Sequence, residues 1–204
     1  MGKQEFIQAL QDRCPISEAS AQELLACAVD FSFARNQIIL NEGEVSGYMY
    51  FIKKGAVRIF YSKHGKEVTE WLALEQSFFL SIASFYRRTP SHLTIQALES
   101  CEIIALPHDA FMQLSAKYHD IETLHRTLIT YALLLSQDRM DSIQFESAQQ
   151  RYENLVQMQP NFIQRFPLTY IASFLGITLE TLSRVRSGPP KSLAPSQPSP
   201  KGKE

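Results

Sequence analysis

A chain of 204 residues is long enough for one or two domains with a real core. Its 45% hydrophobic, 20% charged and 11% aromatic content excludes wholesale disorder. A net charge of -1, from 20 Lys+Arg against 21 Asp+Glu, excludes a strongly basic nucleic-acid coat and an acidic solvating chain. The longest apolar runs, such as Ala132 to Leu135, fall far short of the ~20 residues that span a bilayer. The opening Met1-Gly2-Lys3-Gln4-Glu5 turns polar and acidic before any signal-peptide core. Three scattered cysteines, Cys14, Cys27 and Cys101, form neither a disulfide framework nor a CxxC clip. The expectation is a reduced, cytoplasmic, soluble protein without a membrane partner. The charge is uneven, however. Residues 1–145 carry 13 basic and 17 acidic side chains, residues 146–186 carry 4 and 3, and residues 187–204 carry 3 and 1. The C-terminal end is mildly basic against an acidic body, which eases approach to a polyanion.

In chain order, apolar positions at Phe6, Ile7 and Leu10, then at Leu24, Leu25 and Ala28, are spaced as two helical faces. Pro15 separates them, and Ser17 starts the second helix. Short β-rich runs follow: Phe31 to Leu40, Tyr48 to Lys53, Ala56 to Tyr61, Glu67 to Leu74, Leu93 to Leu98 and Cys101 to Leu106. Their Gly- and Asn-rich turns predict a compact antiparallel jelly roll, so the fold class is α+β. Along Val57 to Tyr61 both faces are partly apolar, which suits a curved sheet with helices on one side.

After Pro107 the pattern is helical again: His108 to Lys117, then a long helix from about Asp120 to Phe145. Its stripe of Ile121, Leu124, Leu128, Tyr131, Leu135 and Ile143, with Ile129, Ala132, Leu133 and Leu134 beside it, needs two surfaces to bury against. One is the roll; the other is the same helix of a second subunit about a two-fold axis. Packing wholly within one subunit is the alternative. The polar stretch Gln137 to Ser142 is a candidate hinge. Ser147 to Met158 forms another helix, ended near Pro160. The domain plan is thus an N-terminal β-roll with flanking helices (1–118), a dimerisation helix and hinge (119–145), a C-terminal helical domain (146–186) and a disordered tail (187–204) rich in Pro, Ser and Lys.

The informative stretch is FPLTYIASFLGITLETLSRVR, Phe166 to Arg186. Leu168 and Thr169 open a helix with Ile171, Ala172 and Leu175 inward. Gly176 supplies the positive-φ turn, and Ile177 plugs that turn into the core. Thr178 is a good N-cap, with Glu180 and Thr181 in the next turn. Leu182 and Val185 face inward, leaving Leu179, Glu180, Ser183, Arg184 and Arg186 outward. Two short helices on a Gly turn, the second polar and basic outside, form a helix-turn-helix. Arg can donate twice to guanine, Glu can accept from cytosine, and hydroxyls can bond phosphates. The candidate DNA-binding residues are Thr169, Thr178, Glu180, Thr181, Ser183, Arg184 and Arg186; a solvated helical hairpin is the alternative.

Jelly roll, long helix and helix-turn-helix in that order resemble the Crp/Fnr-type bacterial transcription regulators, over about Met1 to Arg186. The strongest match is Ile171 to Thr178 followed by Glu180-Thr181-Leu182-Ser183-Arg184. The resemblance implies a homodimer on a near-palindromic duplex DNA operator, a winged-type helix-turn-helix, and base reading through Glu180 and Arg184. RNA polymerase and a small-molecule effector of unknown identity complete the partners this reading allows. Leu179 stands where the family often has arginine, so one base contact does not carry over.

The effector pocket departs from the family's cyclic-nucleotide pattern. Leu80 and Ser81, after Ser77-Phe78-Phe79, occupy the Gly-Glu positions, and Ser91-His92-Leu93-Thr94 replaces Arg-Ser-Ala-Thr. No cation is aligned for a cyclic phosphate unless Arg87, Arg88 or His92 substitutes. The candidate pocket residues are Phe79, Leu80, Ser81, Ser91 and His92, and cyclic nucleotide bound in the usual way is not expected. The pocket is instead collapsed, suited to a more apolar ligand, or a relay of dimer geometry. No cofactor and no metal site is expected: three cysteines cannot ligate an iron–sulfur cluster, and His64, His92, His108, His119 and His125 lack metal-site spacing. No catalytic motif is present, so an enzyme is not expected. The second reading is a ligand-sensing module without productive DNA binding, because Ser187-Gly188-Pro189-Pro190 cuts the last helix short. A cupin-like enzyme is the third.

Overall fold

The computed structural model describes residues 2–188. The proline-rich stretch beyond Gly188, expected to be disordered, lies outside the described residues. Alternation of side chains along antiparallel strands builds the core in layers. The strands are β1 (Val29–Phe33), β2 (Ile38–Leu40), β3 (Tyr48–Lys54), β4 (Val57–Lys63), β5 (Lys66–Ala73), β6 (Phe78–Phe79), β7 (Thr94–Ala97) and β8 (Cys101–Pro107). One sheet has the order β1-β8-β3-β6 and the other β2-β7-β4-β5, every pairing antiparallel. Between the sheets lie Tyr50, Ile52, Val57, Ile59, Phe79, Ile95, Ile103 and Ala105. Met49, Phe51, Ile104 and Leu106, one residue out of step, leave the first sheet on its other side. There α1 (Gly2–Gln11), α2 (Glu18–Cys27), α3 (Ile82–Arg87), α4 (His108–Lys117) and the first turns of α5 (His119–Phe145) cover them through Phe6, Leu24, Phe85, Phe111, Ile121 and Leu124. Gly55 closes the β3–β4 turn at φ +109°, where a Cβ would lie 2.6 Å from Cys101 Sγ. That position tolerates no side chain.

The outer face of the second sheet is covered by the C-terminal helices α6 (Ala148–Met158), α7 (Phe162–Arg165), α8 (Leu168–Phe174) and α9 (Leu179–Ser187). Each sheet thus has helices on one side, its outer one, as the half-apolar faces of Val57 to Tyr61 imply. The run read as a single strand from Phe31 to Leu40 divides into β1 and β2, which belong to different sheets. Asn36, at φ +68°, makes the turn between them. The short elements β6, α3 and α7 carry no periodic signal of their own length and appear only in the folded chain. Among the described residues no strand follows β8.

The polar stretch Gln137 to Ser142, expected as a hinge, lies inside a continuous helix. α5 runs unbroken through it, because Gln137 donates to Asp141 and every residue there is helix-compatible. The break falls at Glu146–Ser147. Ser147 and Gln150 form a capping box that starts α6. Arg151 reaches back to the carbonyls of Ser142, Ile143 and Glu146, satisfying the end of α5. The angle between α5 and α6 is thus held by a guanidinium.

Asp120, in the first turn of α5, ties α2 to α5 by accepting from Ser17 N (2.8 Å) and Ser20 Oγ (2.7 Å). The Ser17 backbone N–H is the main cause that lowers its carboxyl to about 2. A depressed carboxylate stabilises the fold above its unfolded value and ceases to do so as pH falls through the folded one. Asp120→Asn is therefore expected to cost on the order of 1 kcal/mol at pH 7, after allowance for solvent screening. The difference from the parent should vanish between about pH 4 and pH 2 in denaturant melts. An equal difference at pH 2 and pH 7 would assign the loss to packing.

Candidate functional site: the helix-turn-helix and the interior of the roll

The helix-turn-helix is built as its residues dictate. Ile171, Ala172, Leu175 and Leu182 are buried, and Ile177 and Val185 pack against them. Gly176 takes φ +66°, and its N–H reaches Ser173 O while Ile177 N–H reaches Ala172 O. Thr178 caps α9, its hydroxyl accepting from Thr181 N. Thr178, Leu179, Glu180, Ser183, Arg184 and Arg186 are exposed; Thr181 is half-buried, and Thr169 is exposed in the first turn of α8. Arg184 donates to Thr181 Oγ1 at 3.1 Å, which holds the guanidinium along the helix. Its own backbone N–H and the Thr178 hydroxyl keep the Glu180 carboxyl below the ordinary value, with Arg184 adding attraction. An acceptor and a donor four residues apart thus stand ionised on one exposed face of a nine-residue helix.

The candidate pocket residues divide. Phe79 is buried and stacks on Tyr50, with ring centroids 5.0 Å apart. Leu80 packs with the helices outside the first sheet rather than between the sheets. Ser81 and Ser91 are buried with their hydroxyl oxygens 2.9 Å apart, and Ser91 also bonds the Leu93 backbone. His92 is exposed. Arg88 donates to Ser46 O, and Arg87 is exposed. The inward residues therefore offer aromatic surface and a neutral hydroxyl pair, with neither carboxylate nor cation. That set does not fit a cyclic phosphate and its ribose by charge.

Sequence reasoning missed the surface where α8 meets β5. Arg58, within the β-rich run Ala56 to Tyr61, is 1% exposed. Its guanidinium lies between the rings of Phe60 (4.3 Å) and Tyr170 (3.8 Å), donates to Thr69 Oγ1 and pairs with Glu67. Thr69 N donates to Ser173 Oγ, and Arg139 of α5 donates to Phe174 O and stacks on its ring. The only available signal was an arginine inside an otherwise apolar strand.

Residues 30–118 match the family model of the cyclic nucleotide-binding domain. Over 49 residues, 24% of this chain, the sequence is 47% identical to cAMP/cGMP-dependent 3',5'-cAMP/cGMP phosphodiesterase B of Dictyostelium discoideum; that stretch spans 4% of that protein's length. FixK2 from Bradyrhizobium japonicum is similar in structure at 21% identity, with a TM-score of 0.66 over 78% of this chain and 83% of that one. The catabolite activator protein of Thermus thermophilus is similar at 19% identity, with a TM-score of 0.56 over 87% and 84%. Among the described residues no helix is long and apolar enough to cross a membrane. Residues 30–118 thus resemble a cyclic nucleotide-binding domain, and the roll, long helix and C-terminal helices together have the fold seen in FixK2 and in the catabolite activator protein.

Proposed function

We propose that this protein is a homodimeric, sequence-specific DNA-binding transcription regulator. The observation that carries the reading is α9, anchored by fully buried Leu182 while Glu180, Ser183, Arg184 and Arg186 project outward. A helix of this width fits the major groove, where Arg184 donates to guanine and Glu180 accepts from cytosine. Thr169, Thr178, Thr181, Ser183 and Arg186 serve as phosphate and register contacts. Dimerisation is supported by α5, which leaves Ile129, Leu133, Met140 and Ile143 exposed along one side. With Ser136 they recur at alternating steps of four and three, the spacing of a two-stranded seam.

Control through the roll does not use a charge-paired cyclic nucleotide site, since Ser81 and Ser91 bond each other where such a site has acid and arginine. A change in the roll acts by altering the separation of two recognition helices, which the operator sets at about one helical turn of ~34 Å or a small multiple. Selection from random duplexes followed by gel shift tests the reading. Near-palindromic sites should be enriched, and Glu180→Ala/Arg184→Ala should abolish the enrichment. No enrichment with the parent protein would leave a sensing module without DNA binding. Mass spectrometry that found a cyclic nucleotide bound to the purified protein would overturn the pocket argument.

A further inference from the structure

The helix-turn-helix unit does not close its own core. Phe162, Phe166, Ile171, Ala172, Leu175 and Leu182 share one cluster with Ala56, Leu72 and Leu98 of the roll. At the rim of that cluster Arg165 of α7 binds two carboxylates. It donates to Glu99 at 2.8 and 2.5 Å and to Glu75 at 3.2 and 3.0 Å. Glu99 lies in the β7–β8 turn and Glu75 in the β5–β6 turn, while Gly55 N–H of the β3–β4 turn also donates to Glu75. Three turns that cross from one sheet to the other therefore converge on a single guanidinium.

The segment after Glu75 runs straight into the roll interior. Gln76 N–H donates to Ile52 O and Ile52 N–H to Ser77 O. Phe79 then stacks on Tyr50, and Ser81 bonds Ser91. One strap of seven residues, 75–81, thus grips the helix-turn-helix at its start and lines the sheet interior at its end. We propose that Glu75, Arg165 and Glu99 form a regulatory latch, opened when the 77–81 wall of the roll moves. Closed, the latch sets α9 at a fixed attitude to α5, so operator binding does not have to order that joint. Open, the helix-turn-helix gains orientational freedom and the operator is released. The regulatory half of this inference rests on the DNA-binding reading; the docking half does not.

Trp71 is the only tryptophan, and it meets Phe174 edge-on across this boundary, centroids 5.9 Å apart. In the full chain, Glu75→Gln/Glu99→Gln removes the charges and keeps the shapes. The expected result is a red shift of Trp71 emission and amide exchange across 162–175 at least tenfold faster, with β3 and β8 unchanged. Affinity for the selected operator should fall about tenfold or more. Unaltered emission and exchange would overturn the latch. Altered emission and exchange with unaltered operator affinity would overturn its regulatory role and leave a structural dock. If the double variant gives no cooperative melt, Arg165→Lys keeps the charge but loses the two-pronged geometry, and is read the same way. A parent protein that selects no operator would remove the regulatory role, while emission and exchange still decide the docking.

Discussion

Leu133→Asp is expected to yield a folded monomer that has lost specific operator binding. Leu133 is 65% exposed in the protomer, the most exposed apolar residue of the stripe formed by Ile129, Leu133, Ser136, Met140 and Ile143. Full burial of a leucine is worth about 1.5–3 kcal/mol, and a two-fold axis doubles it to about 3–6 kcal/mol. Two aspartates facing each other would add like-charge repulsion. The dimer dissociation constant should rise by roughly a hundredfold or more. The protomer should keep its melting temperature, since Leu133 belongs to none of the buried clusters. A monomer holds one recognition helix, so gel shifts should show only weak, nonspecific complexes. Sedimentation across a concentration series reads the association directly. A dimer as tight as the parent would move the contact elsewhere on α5, and Tyr131 and Leu134, which are exposed off this stripe, would become the next positions to test.

Arg184→Ala is expected to cost roughly 1–3 kcal/mol of operator affinity, about ten- to a hundredfold, with relaxed preference at one base pair in each half-site. The guanidinium is exposed, is steadied by Thr181 Oγ1, and shares a face with an ionised Glu180. A bidentate guanine contact uses two guanidinium N–H donors of Arg184, which alanine lacks. Arg186→Ala is the comparison. As a phosphate contact it should weaken binding alike for every sequence and reduce the salt slope by about one. Competition between operator and scrambled duplex, repeated over salt, separates the two. An unchanged preference at every base pair in the Arg184 variant would remove its assignment as a base reader.

How much of this was legible before any coordinates depends on the range over which each residue acts. Gly176, Thr178 and the inward set Ile171, Ala172, Leu175 and Leu182 act within one or two turns, and the structure has them as the spacing implies. Strand period two and helix period near 3.6 likewise marked the roll and α5. The polar stretch 137–142 suggested a break in the helix, but α5 is continuous there. None of those residues breaks a helix, and the break was set by a cap at Ser147 and by Arg151, five to nine residues along from the carbonyls it binds.

The sequence by itself determined the local elements, the outward face of α9 and the lack of charge at the cyclic-nucleotide positions, because these depend on neighbours in the chain. Only the tertiary structure decided that Arg58 is a buried cation under Tyr170, that Arg165 joins turns 66 and 90 residues away, and that Ser81 meets Ser91. An isolated arginine or serine has the same local signature whether solvated or buried. Its partner is selected by which sheet face and which turns the folded layers bring together.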